Sequence, residues 1–292
     1  MSDESHVAYP VCDSHIHFYD NDYPTWSQSQ LSHHTTTFAD YRAVQAINGA
    51  SRFVVVQPST YGFDNRVLVQ ALKAANGAAK GVAVVSADSS SMELQRLRQV
   101  GVVGLRANLT LGPHALDDLP NLARRAMALG FHLQLNISGR QLIEHIDEIE
   151  LLPVPVVIDH CGYLCREPEV AASVFAAILR LLAKKGRWLK LSGPYVASLD
   201  AENDYADLLP FIGQLIEHFP EQLVYGSDWP HVTEPTQPGE RHLFEIQRSW
   251  FARPGLEQMI LSSNPARLYG FDDGIAARAD QTFEPCGDET HV

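Results

Sequence analysis

Four short segments each set a catalytic-type side chain at the end of an apolar run. They are Val11-Cys-Asp-Ser-His15-Ile-His17, Leu105-Arg106-Ala-Asn108, Val156-Val-Ile-Asp159-His160 and Leu223-Val-Tyr-Gly-Ser-Asp228-Trp-Pro. Three imidazoles and a carboxylate brought to one point can do hydrolytic chemistry. The carboxylate takes a proton from water, and the imidazoles hold a metal ion or a substrate oxygen. Each polar residue could instead cap its own strand. Four of them in chain order favour a shared site.

His15 and His17 are two apart, so on a strand they share a face. Asp13 has the same parity one layer deeper, while Cys12, Ser14 and Ile16 are expected to point towards outer helices. Gly226 lets the chain bend before Asp228, and Trp229-Pro230 restricts its exit. Gly162 allows close approach of a ligand beside His160, whereas Asp159, of opposite parity, is expected to anchor structure. Arg106 and Asn108 share a face, and an inward arginine suits a carboxylate or a developing oxyanion. Gln57 and Ser59 end another apolar run, Gln134 and Asn136 a further one, and Lys190 and Ser192 a third. Of these, Gln57, Ser59 and Asn136 join Arg106, Asn108 and Tyr163 as expected substrate contacts.

Only a particular scaffold brings such distant segments together. Eight short runs rich in Val, Ile and Leu read as buried strands: 11–17, 53–57, 81–86, 102–108, 131–136, 154–159, 187–192 and 223–227. Helix-like patterns at 64–77, 90–99, 117–129, 139–148, 168–185 and 203–218 separate them, with 239–252, 255–262 and 264–269 following the last strand. Strand and helix alternating eight times predicts an α/β fold, a single (β/α)8 TIM barrel, whose strand ends meet at one mouth. An open doubly wound sheet would call for a Gly-rich phosphate turn after an early strand, and the sequence has none. The barrel domain is expected over 11–272, between an N-terminal tail, 1–10, and a polar C-terminal tail, 273–292. The irregular stretch 18–37, containing Trp26, His33 and His34, is expected to cover the mouth.

The 292 residues fit one such barrel, and a formal net charge of −13 argues against nucleic acid or an anionic membrane as partner. No apolar run approaches the ~18 residues that span a bilayer. The acidic start, Met1-Ser-Asp-Glu-Ser-His6, lacks the apolar core of a signal peptide. Four cysteines, Cys12, Cys161, Cys165 and Cys286, do not form a disulfide framework in a chain of this size, so free thiols in the cytoplasm are expected. The partner is expected to be a small molecule, and homo-oligomerisation is compatible with the sequence.

His15-x-His17, Ile-Asp-His160-Cys-Gly and Gly-Ser-Asp228-Trp-Pro-His231 resemble the amidohydrolase superfamily, in the branch that contains 2-pyrone-4,6-dicarboxylate lactonase. Gln57-Pro-Ser59, Gly62-x-Asp64-Asn65, Gly104-x-Arg106-x-Asn108 and Ser263-Asn264-Pro265-Ala-Arg267-Leu-Tyr269 extend the resemblance from about residue 11 to 270 in the same order. It implies a hydrolase that opens a lactone of a small organic or sugar acid. Asp228 would act as general base, and His15, His17 and His160 as electrophilic partners of the carbonyl. A metal-dependent decarboxylase of an aromatic or muconate-type acid is the competing enzyme reading, and a non-catalytic binding protein on a retired barrel is the third.

Two departures from the family pattern carry expectations. Two-metal relatives place a lysine on strand four and one-ion relatives a histidine ending strand five. Here strand four reads Val102-Val-Gly-Leu-Arg-Ala-Asn, and the only histidine of strand five, His132, lies at its start. Hydrolysis with no required cofactor is therefore expected. If an ion is bound, it is a single zinc on His15, His17 and Asp228. The pyrone-dicarboxylate enzymes also use several arginines for the substrate carboxylates. Three of those places are Tyr163, Leu109–Gly112 and Ser192–Val196 here, and only Arg106 is kept. A lactone with at most one carboxylate is expected, or a sugar-acid lactone read by Tyr163, Tyr195, Gln134 and Asn136. Arg166 or Lys190 could swing in to replace a missing cation.

Overall fold

The computed structural model describes residues 9–234, 236 and 239–272. Cys286 and most of the two expected tails lie outside the described residues. Eight strands, β1 (Val11–Ile16), β2 (Ala50–Val56), β3 (Ala79–Ala83), β4 (Val102–Asn108), β5 (His132–Asn136), β6 (Val156–Ile158), β7 (Arg187–Ser192) and β8 (Leu223–Gly226), pair in parallel in chain order. The sheet curls into a nearly closed TIM barrel, with helices packed against its outside. Among the described residues no helix is long and apolar enough to cross a membrane.

The seam between β8 and β1 closes with little regular ladder. The His17 N–H donates to the Trp229 carbonyl at 2.9 Å and the Asp228 N–H to the His15 carbonyl at 2.9 Å. Below them the Asp13 carboxylate replaces the ladder, accepting from the Ser227 N–H at 2.8 Å, the His15 N–H at 3.3 Å, Tyr41 Oη at 3.3 Å and Asn48 Nδ2 at 3.2 Å. Burial pushes this carboxyl up to about 6.

Strand β1 corrects the simple alternation. Its register against β2 shifts between Asp13 and Ile16, so the faces exchange part-way along the strand. Asp13 faces the helix Phe38–Asn48. Cys12 packs with Val54, Val56, Val82 and Tyr269, a cluster plugging the N-terminal end of the barrel interior. Ser14 sits against Cys12, with its Oγ 3.9 Å from the sulfur. Cys12 and Ser14 thus do not face the outer helices, while His15 and His17 do point inward.

The helix Phe38–Asn48 lies in a stretch with no recognised helical pattern. Only Tyr41, Val44 and Asn48 are buried on it, a stripe too thin to stand out. A Thr37–Asp40 capping box starts it, with each side chain bonded to the other residue's backbone N–H. The pattern at 139–148 divides at His145 into Gly139–Glu144 and Ile146–Glu150.

His132, at the bottom of β5, packs edge-on to Tyr269 with ring centroids 5.5 Å apart. Its Nε2 is buried without a hydrogen-bond partner among the described residues. Burial, reinforced by nearby Lys190, pushes this imidazole down to about 3. An unfolded histidine titrates near 6.5, so between pH 6.5 and 3 the unfolded chain binds the extra proton and the folded chain does not. Stability from this group is therefore present above 6.5 and is lost as pH falls, at about 1.4 kcal/mol per pH unit. Urea unfolding of wild type and His132→Gln at pH 7, 6 and 5 should show their stability difference narrowing on acidification. A constant difference would contradict this account.

Candidate active site

The floor of the site is a layer of charge inside the barrel. Asp159, just beyond β6, accepts from Arg106 Nε at 3.0 Å and from Gln134 Nε2 at 3.1 Å. Arg106 Nη2 lies 3.0 Å from the same oxygen. The other oxygen lies 3.4 Å from His15 Nδ1 and 3.7 Å from Lys190 Nζ. Burial alone would raise the Asp159 carboxyl, but Arg106, His15 and Lys190 outweigh it and hold the group well below the usual carboxylate range. Lys190 directs its ammonium at the Ser14 carbonyl (2.9 Å), Gln134 Oε1 (2.8 Å) and His15 Nδ1 (3.2 Å). Burial pushes it down to about 8.

Above this layer stand the histidines and Asp228. His15 and His17 face each other through their Nε2 atoms at 3.2 Å, and each of these nitrogens is 3.6 Å from Asp228 Oδ1. His17 Nδ1 contacts the Val56 carbonyl at 2.8 Å. A carbonyl only accepts, so His17 carries its proton on Nδ1 and offers a lone pair at Nε2. His160 contacts Ser192 Oγ through Nδ1 at 3.1 Å, and that same nitrogen is 3.8 Å from Asp228 Oδ2. Burial lowers both His15 and His160 from the ordinary imidazole value. It would raise the Asp228 carboxyl, but His160, His17 and His15 outweigh it and keep the group ionised.

Backbone conformation places these groups. Asp228 has φ 64° and His160 φ 49°, both in the left-handed region. β6 ends at Ile158, Asp159 continues its extended line, with its N–H on the Leu135 carbonyl at 3.0 Å, and the chain turns sharply at His160. Asp159 therefore stays on the inward face of the strand line while His160 swings up beside it. At Gly193 (φ +51°) a β-carbon would stand 2.9 Å from His160 Nδ1 and 3.0 Å from Asp228 Oδ2. Only glycine lets β7 turn that close to both groups.

A cavity of about 390 Å³ opens over this floor at the C-terminal mouth of the barrel. His17, His160 and Asp228 reach it, and His15 lies beneath, touching Asp228 without lining the space. One wall is a hydrogen-bonded ladder of expected substrate contacts. Asn108 Nδ2 donates to Ser59 Oγ, Asn136 Nδ2 to Asn108 Oδ1 at 3.0 Å, and Tyr163 Oη to Asn136 Oδ1 at 3.0 Å. Arg106, Ser59, Asn108, Asn136 and Tyr163 all line the cavity. Gln57 does not. Its carboxamide turns away to donate to the Asp64 carbonyl at 2.7 Å, bracing the loop after β2. That corrects its expected role, because the strand parity that turns Val56 inward sends Gln57 outward.

Gln134 and Lys190 belong to the buried layer, so Lys190 is held by its contacts and does not swing towards a ligand. Arg166 does reach the cavity rim. From the long 18–37 stretch, Tyr19 and Leu31 line the space, while the Trp26 N–H is tied to the Thr60 carbonyl at 2.8 Å. Sequence reasoning gave Asp159 only a structural part and gave His231 no role beyond its place in the family-like motif. Tyr195 donates to Asp228 Oδ2 at 2.7 Å and contacts His231 Nδ1 at 2.8 Å.

Two groups of side chains have donor atoms close enough to share a metal ion: His15, His17 and Asp228, and His15, Asp159 and His160. The 3.2 and 3.6 Å separations in the first group fit the edges of a tetrahedron around zinc, about 3.3 Å for bonds of ~2.0–2.1 Å.

Comparison with known proteins agrees with the barrel fold. The amidohydrolase family model matches residues 12–271. The chain is 32% identical to a 2-pyrone-4,6-dicarboxylate hydrolase of Comamonas testosteroni, over 88% of this chain and 89% of that protein. It is 26% identical to a D-galactarolactone isomerase of Agrobacterium fabrum, over 79% and 80% respectively. An apo crystal structure of an Agrobacterium tumefaciens protein superposes with a TM-score of 0.84 at 24% identity, covering 90% of this chain and 97% of that one.

Proposed function

Because the chain belongs to the amidohydrolase family, we propose that it is a hydrolase opening a lactone of a small organic or sugar acid. The observation that carries this reading is an ionised carboxylate, Asp228, at the floor of a cavity whose walls can hold a carbonyl. The relatives named above act, by their names, on a pyrone or a lactone ring.

The chemistry divides among the residues as follows. Asp228 takes a proton from a water held over the carboxylate, and that water's oxygen attacks the ring carbonyl carbon. We assign the His160 proton to Nε2, with Nδ1 accepting from Ser192 Oγ at 3.1 Å, and give that proton the task of stabilising the oxyanion together with Arg106. The protonated Asp228 then returns its proton to the leaving ring oxygen. His17 presents a lone pair at Nε2 and His15 lies beneath the cavity, so direct carbonyl contact, expected of both, passes to His160. The pair instead flanks Asp228 Oδ1, each Nε2 3.6 Å from it. Replacing Asp228 by Asn keeps its size and its contact with Tyr195 but removes the base. Steady-state assays should show kcat lower by about 10²–10⁴-fold with folding unchanged. Turnover above a tenth of wild type would remove Asp228 from this role.

His15, His17 and Asp228 would hold a single zinc, which when bound would polarise the carbonyl and acidify water. We propose that hydrolysis does not require it. Lys190 Nζ lies 3.2 Å from His15 Nδ1, with Asp159 Oδ1 at 3.4 Å from the same nitrogen, so an ammonium stands directly behind this ligand set. A divalent ion would have to bind a ring already facing that ammonium. Exhaustive chelation should leave activity intact. Loss of activity with the ion, and its return on adding zinc back, would overturn the proposal and revive the decarboxylase reading.

Substrate charge follows from the cations. Arg106 is paired with Asp159 and Lys190 is enclosed, which leaves Arg166 at the rim. A second substrate carboxylate would be buried without a cation, at a cost of several kcal/mol. Initial rates across a lactone panel should give a higher kcat/KM for neutral or monocarboxylated rings than for the pyrone dicarboxylate. The reverse order would refute this selectivity.

A further inference from the structure

Tyr195 does more than line the cavity, because it begins a chain of hydrogen bonds that leaves the site. Its Oη donates to Asp228 Oδ2 at 2.7 Å and meets His231 Nδ1 at 2.8 Å. His231 Nε2 in turn lies 2.8 Å from Glu240 Oε1. Glu240 is the first residue of the helix Glu240–Trp250, where free backbone N–H groups favour a carboxylate. That helix is held to the site by Gln247, whose Nε2 donates to the Leu191 carbonyl at 3.0 Å and the Gly226 carbonyl at 3.1 Å. Those carbonyls belong to the ends of the two strands that lead to Tyr195 and Asp228. One helix thus grips both ends of the same chain of contacts.

We propose that Glu240 is a positioning residue for this site, acting through His231 and Tyr195 to aim the Asp228 carboxylate. Asp228 sits at φ 64° and His231 at φ 61°, and the His231 N–H donates to the Asp228 carbonyl at 3.1 Å, so one tight turn places both residues and the side-chain hydrogen bonds fix their directions. Tyr195 fixes Oδ2 and leaves Oδ1 towards His15 and His17. Neither His231 nor Glu240 lines the cavity. Their effect must therefore appear in the orientation of the reacting groups and not in substrate binding. Small misplacements of such groups are costly, about 10²-fold for 1 Å. The inference rests on the lactone-hydrolase reading for its kinetic test alone.

The test is a double-mutant cycle in the intact protein. Glu240→Ala should lower kcat by about tenfold with KM unchanged, and Glu240→Gln, which keeps an acceptor for His231, should recover most of it. Tyr195→Phe should lower kcat further, and adding Glu240→Ala to it should cost nothing more. Wild-type kcat in Glu240→Ala, a change in KM in place of kcat, or full additivity of the two substitutions would overturn the proposal. A turnover-free measurement separates this outcome from failure of the lactone reading, which would show as a wild type inert on every lactone. The carbon-13 signal of the Asp228 carboxylate should shift on Glu240→Ala in the wild-type background and stay put in the Tyr195→Phe background. A signal that ignores Glu240 in both, or moves equally in both, would sink the proposal whatever the substrate.

Discussion

The charge layer around Asp159 is the constraint on which the rest of the site depends. Within it, a carboxylate from β6 meets an arginine from β4, a histidine from β1 and, at longer range, a lysine from β7. Buried charges are costly unless paired and hydrogen-bonded, and here two carboxylates, Asp159 and Asp228, are matched by two cations, Arg106 and Lys190. Removing one partner would leave a net charge inside the barrel. The layer therefore locks the inward faces of four strands together, and each catalytic candidate rests on it. His15 touches Asp159 on one side and Asp228 on the other, which couples the buried layer to the reacting carboxylate.

On the proposed reading this arrangement also sets which lactones suit the cavity. The Ser59–Asn108–Asn136–Tyr163 ladder spends much of its hydrogen-bonding capacity internally, so it is a rigid, neutral wall. Arg106 is a neutralised cation. Leu31, Leu111, Val196 and Val232 give the mouth an apolar share. A compact ring with few charges fits such a space better than a dianion.

Much of this was legible in the chain because parallel barrels force polar residues to strand ends. The eight apolar runs became eight strands, and His15, His17, His160 and Asp228 meet although more than two hundred residues separate the first from the last. The misses have specific physical causes. A register shift inside β1 exchanged the faces of Cys12 and Ser14 with that of Asp13, which no two-residue alternation reveals. Gln57 follows strand parity outward although its neighbour Ser59 reaches the cavity after the chain bends. Asp159 and His160 both serve the interior because Asp159 keeps the extended line of β6 and the chain turns left-handed only from His160. The link from Asp228 through Tyr195 to His231 joins two loops, and no periodicity carries that information.

The central claim is that water activated by Asp228 attacks a ring carbonyl. One relative is named as an isomerase of a lactone, so net hydrolysis is the point to test. The most direct measurement is a single turnover in water enriched in oxygen-18, with the product read by mass spectrometry. The account predicts one heavy oxygen in the new carboxylate of a ring-opened acid, formed at the wild-type rate and nearly absent with Asp228→Asn. A rearranged lactone carrying no label would contradict it.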